Sequence, residues 1–134
     1  MCLSIKVKTK QPLGDNAKLF SQADGTLLLS EKRRRLLKPE YVLSLSLDGG
    51  CACTTLTDDA DWNAPFWAMD PQALVLLANT IERIAEYAPD GFTFQALWAG
   101  DKPREKLTVT LQQMVTIIRS GKIGTRASYN VTGP

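Results

Sequence analysis

Polar and apolar residues alternate along three stretches of the chain. In residues 2–9, Cys2, Ser4, Lys6 and Lys8 fall on one side and Leu3, Ile5 and Val7 on the other. That period of two predicts a half-buried strand with the aliphatic side inward. Tyr41 to Leu47 repeats the pattern, with Tyr41, Leu43, Leu45 and Leu47 opposite Val42, Ser44 and Ser46. Phe92 to Trp98 does so again, Phe92, Phe94, Ala96 and Trp98 sharing one face. Shorter extended pieces are predicted at Thr26–Leu29, after the Asp24-Gly25 turn signal, at Lys106–Val109 and at Thr125–Val131. Asp48-Gly49-Gly50 is a tight-turn sequence, because glycine takes a positive φ without a Cβ clash. Cys51–Thr57 is therefore predicted to return as a strand beside Tyr41–Leu47, making a hairpin.

The period lengthens in two places. Asp70 is a good N-cap and Pro71 fits the first helical position. From there to Tyr87, Leu74, Leu77, Ala78, Ile81, Ile84 and Ala85 form an apolar stripe at helical spacing, and Pro89-Asp90-Gly91 stops it. Thr110, with Gln113 three residues on, reads as a capping box opening a helix over Leu111–Ser120 that buries Leu111, Met114, Val115 and Ile118. Gly121 suits the position after it. The predicted order is ββββ-αβ-αβ. It gives one α+β domain, a two-layer sandwich with a mixed sheet of five to six strands and two helices packed on one face.

Composition changes this picture only by exclusion. The chain has 134 residues, 44% hydrophobic and 22% charged, with a net charge of +2, as expected of a soluble globular domain. No apolar run approaches the roughly 18 residues of a membrane span. No apolar secretory core follows the N-terminus, so a cytoplasmic location is expected. There is no histidine. Ser-His-Asp and Cys-His nucleophile pairs within the chain, and metal sites that need imidazole, are excluded. Lys32, Arg33, Arg34 and Arg35 form a basic run suited to phosphate contact. It carries no interleaved aromatics, so it reads as a solvated connection and a nucleic-acid partner is not expected. Asp58, Asp59, Asp61 and Asp70 do not match the calcium-loop spacing. The aromatics among them, Trp62, Phe66 and Trp67, are expected to fold this long connection onto the core. Gly49, Gly50, Trp62 and Trp67 are the candidate walls of a pocket.

The remaining chemistry belongs to Cys2, Cys51 and Cys53. An odd number of cysteines in a reducing compartment argues against a structural disulfide. Cys51 and Cys53, at i and i+2 on a strand, share one face. If strand 2–8 pairs antiparallel with strand 41–47, Cys2 returns beside Cys51. Three thiolates with an Asp or a water then suffice for zinc, although Cys-x-Cys is not the usual Cys-x₂-Cys knuckle. Alternatively, loss of Met1 would expose the sulfur and α-amine of Cys2, an amine able to act as base for its own thiol. The Met1-Cys2 start resembles class II glutamine amidotransferases and the abasic-site-crosslinking SRAP proteins, which continue with Gly where Leu3 stands. Packing of small, apolar-like thiols is the third reading.

Met1-Cys2, the opening strand, Gly50-Cys51-x-Cys53 before a helix, and the turn Trp98-Ala99-Gly100-Asp101 resemble a family of small uncharacterised bacterial proteins. The resemblance implies a bacterial cytosolic protein with grouped cysteines and brings no activity. The chain is thus expected to be a binding or interaction module, with a cysteine-centred zinc or reactive-thiol protein as the alternative. No cofactor is expected under the first reading and zinc under the second. A homodimer through a sheet edge or the aromatic segment stays open.

Overall fold

In the computed structural model every residue is described except Met1, Arg35, Leu36, Lys38, Asp59, Trp62 and Pro134. The strands are β1 (Leu3–Thr9), β2 (Leu28–Arg33), β3 (Tyr41–Ser46), β4 (Phe92–Trp98), β5 (Glu105–Val109) and β6 (Ala127–Val131); the helices are α1 (Pro71–Tyr87) and α2 (Leu111–Arg119). They make the expected α+β sandwich. One six-stranded sheet runs in the order β2-β3-β1-β4-β6-β5. Each neighbouring pair is antiparallel except β5 and β6, which are parallel and joined through α2.

The alternation does what it predicted. Leu3, Ile5 and Val7 of β1, Phe94 and Ala96 of β4, and Tyr129 and Val131 of β6 point inward, where Leu77, Ile81 and Ile84 of α1 and Met114 and Ile118 of α2 meet them. The two helices pack against each other on that side. Their starts follow the sequence. Asp70 accepts the Gln72 N–H at 2.9 Å. Thr110 accepts the Gln113 N–H at 3.1 Å while Gln113 accepts that of Thr110 at 2.9 Å, so two orphan donors are satisfied reciprocally.

Two expectations are corrected. The segment after Gly50 is not a strand, and there is no 41–57 hairpin. Ala52–Thr55 forms a 3₁₀ turn, with Ala52 and Thr55 buried three residues apart. The Thr55 hydroxyl donates to the Ala52 carbonyl at 2.6 Å. Such local bonds offer the backbone an alternative to a sheet ladder. Second, β2 extends into the basic run, because its ladder with β3 continues through Arg33 opposite Tyr41. Glu31 on this strand accepts the N–H groups of Leu13 and Gly14, at 2.6 and 3.2 Å, tying down the preceding loop.

The long connection between the 3₁₀ turn and α1 does fold onto the core through Trp67. That side chain is 2% exposed. Its indole N–H donates to the Ala96 carbonyl at 2.7 Å, and its ring meets Trp98 edge-on at 5.1 Å. Phe66 stays 41% exposed, under the ammonium of Lys122.

Candidate metal centre

The register of the sheet brings the cysteines together. β1 and β3 pair antiparallel from Thr9 opposite Tyr41 to Ile5 opposite Leu45, so the start of β1 lies beside the end of β3. A turn over residues 46–50 follows β3. The Ser46 hydroxyl accepts the Gly49 N–H at 2.8 Å, and the Asp48 carboxylate accepts the Gly50 N–H at 3.0 Å. Gly49 sits at φ +88°, which glycine tolerates and residues with a Cβ rarely adopt. The turn delivers Cys51, with extended backbone, to the head of the 3₁₀ turn. Cys2 is anchored from the other side, where its carbonyl accepts the Ala99 N–H at 2.7 Å.

The three sulfurs lie within 4.8 Å of one another, and those of Cys51 and Cys53 are 3.1 Å apart. None of the three is in a disulfide. Backbone donors point at two of them: the Leu3 N–H reaches the Cys53 sulfur at 3.1 Å, and the Cys53 N–H reaches the Cys51 sulfur at 3.5 Å. A donor aimed at sulfur favours its charged form. Cys2 is exposed, and the other two are half-buried. Among the described residues, no other group of three cysteine or acidic side chains converges in this way. The convergence expected from i, i+2 spacing on a strand is achieved by a capped turn instead.

The electrostatics single out one thiol. Hydrogen bonding from Cys2, then from Cys53, holds the Cys51 thiol below its ordinary range, with smaller help from the Cys53 and Leu3 backbone and against the cost of burial. The Cys2 thiol is pushed up, first by its hydrogen bond to Cys51 and then by the charge there. Of the two thiols, Cys51 is thus the more readily ionised and Cys2 the less. Carbamidomethylation followed by mass spectrometry should give Cys51 a half-maximal rate at a lower pH than Cys2. Identical profiles for the three residues would contradict this ordering.

The arrangement fits a thiophilic ion. Tetrahedral zinc with Zn–S bonds of about 2.3 Å needs sulfurs roughly 3.8 Å apart. The cluster brackets that edge, so the Cys51–Cys53 pair must open by about 0.7 Å, from the observed 3.1 Å to the roughly 3.8 Å edge. Three protein ligands leave a fourth position for water or an external ligand.

The other sequence candidates do not join this cluster. Gly49 and Gly50 are exposed turn residues, and Trp67 lies in the core. Trp62 lies outside the described residues, as does Arg35 of the basic run. Strand alternation splits the rest of that run: Lys32 pairs with Val42 on the face away from the helices, and Arg33 pairs with Tyr41 on the other. The backbone N–H of Leu3 as a sulfur donor was not foreseeable, since no side-chain pattern signals it. No family model, curated protein or solved structure matches the chain.

Proposed function

We propose that the protein binds one thiophilic metal ion, zinc in the first instance, through Cys2, Cys51 and Cys53. The observation that carries this is the approach of all three sulfurs to within 4.8 Å. The backbone donors on Cys51 and Cys53 support it, because metal ligation requires thiolates and such donors stabilise them. The ion would tie the start of β1 to the turn after β3, two segments nearly fifty residues apart in sequence. Between the two readings of the sequence, convergence favours the cysteine-centred one over a generic interaction module. A second reading, a Cys51–Cys53 disulfide formed by exchange with a small-molecule disulfide that leaves as two thiols and reversed by a dithiol, draws on the 3.1 Å separation of those sulfurs.

The test is metal stoichiometry on reduced full-length chain, dialysed against zinc and then freed of excess. One zinc per chain is expected, with retention falling to background in Cys51→Ser. Retention of the same zinc by Cys51→Ser would reject the site.

A further inference from the structure

The face of the sheet turned away from the helices carries the other feature that packing does not explain. Read across the six strands, one row is Ser30, Ser44, Lys6, Gln95, Ser128 and Lys106. The adjacent row runs from Lys32 through Val42, Lys8 and Thr93 to Asn130 and Thr108. Every polar side chain in both rows is a cation, a hydroxyl or an amide. Arg34 and Lys102 border the same shallow cavity of about 970 Å³, with Glu40 and Asp101 as its two carboxylates. Among the described residues, none of Lys6, Lys8, Lys32, Arg34 and Lys106 is in an ion pair.

This clustering has a cost. Lys6 is held below the usual lysine range, first by desolvation and then by Arg34, Lys8 and Lys32 around it. Like charges so gathered destabilise the folded chain unless an anion neutralises them. Lys6 and Lys8 are two residues apart on one strand, so their stems rise about 6.8 Å from each other, and neighbouring strands add cations at multiples of about 4.8 Å. That density suits a chain of closely spaced negative charges.

From this we infer that the open sheet face binds a linear polyphosphate, a phosphate chain without bases. Lysine and arginine would meet the charge, while serine, threonine, asparagine and glutamine side chains donate to the non-bridging oxygens. Bases have no platform here, because no aromatic side chain lines the cavity and single-stranded nucleic acid normally stacks on one. A second copy docked face to face would set lysine against lysine. This inference is independent of the thiolate site.

The test is isothermal titration calorimetry of the reduced full chain with a linear polyphosphate. Between about 50 and about 200 mM salt, binding should weaken on the order of 50-fold, as about four neutralised phosphates give at a slope near −0.7 each. Lys32→Ala/Lys106→Ala, at two exposed positions, should flatten that slope by about 1.4. Lys18→Ala/Lys122→Ala, off this face, should leave it unchanged. The inference falls if no binding is seen at the lower salt, or if the Lys32/Lys106 variant binds like the parent. It falls equally if an oligothymidylate or a sulfated polysaccharide of equal charge binds more tightly.

Discussion

Loading the reduced protein with zinc is expected to raise its melting temperature by about 10 °C, and Cys51→Ser to remove that gain. The size follows from linkage: free ligand at ~100 times its dissociation constant adds about 2.7 kcal/mol to the folded state. For a domain of this length each kcal/mol is worth roughly 3–5 °C. Cys51 is the informative position because its sulfur touches both others: it is 3.1 Å from Cys53 and hydrogen-bonded to Cys2. Serine there keeps an acceptor for the Cys53 N–H at the head of the turn, so the metal-free variant should melt close to the metal-free parent. A chelator should return the loaded parent to that value. Acid should do the same, because ligation requires thiolates and protons compete with the ion for all three sulfurs as pH falls. A melting temperature indifferent to zinc would leave the cluster as packing alone.

Trp67→Ala should cost about 3–5 kcal/mol, as truncation of a buried tryptophan does. Three contributions are lost together. The ring is 2% exposed in the core. It packs edge-on against Trp98 at 5.1 Å. Its N–H is the donor to the Ala96 carbonyl, just beyond Gln95, where the pairing of β4 with β6 stops. Trp67→Phe keeps most of the area and loses the donor, so it should cost about 1–3 kcal/mol, the penalty of a buried acceptor left unsatisfied. Chemical denaturation of both variants measures the pair. A Trp67→Phe variant as stable as the parent would show that the hydrogen bond contributes nothing, and losses equal to those of Trp67→Ala would show the same of the ring. The same residue connects to the site. Thr55 accepts the Asp70 N–H at 2.8 Å, and Leu56 bridges Met69, so the connection pinned by Trp67 closes back on the turn that holds Cys51 and Cys53. Its loss is therefore expected to reduce the stabilisation by zinc as well.

The legible parts of this fold are those whose signal is local. Leu3, Ile5 and Val7, or Leu77, Ile81 and Ile84, announce their face by spacing, and burial of that face is the main driving force. Asp70 and Thr110 announce helix starts because the cap is a bond between near neighbours. The meeting of Cys2 with Cys51 was legible too, but only through the pairing of β1 with β3. The misread segment, Cys51–Thr57, has a pattern short enough to suit a strand or a turn. What decides it is not a period but three short bonds: the Cys53 N–H to the Cys51 sulfur, the Thr55 hydroxyl to the Ala52 carbonyl, and the Leu56 N–H to the Cys53 carbonyl at 3.1 Å. The basic face was hidden for another reason. Lys6 and Lys8 look like the ordinary wet side of one strand, and Lys32 and Arg34 like part of a charged loop. Their neighbourhood exists only once β2-β3-β1 is the strand order.

The central claim is that three thiolates hold one ion. X-ray absorption at the zinc edge, on reduced protein carrying one equivalent of zinc, tests it most directly. Three sulfurs at about 2.3 Å with one lighter ligand are predicted, and no thiol should titrate until a chelator is added. A shell of oxygen and nitrogen alone, with all three thiols titrating in the presence of zinc, would contradict it.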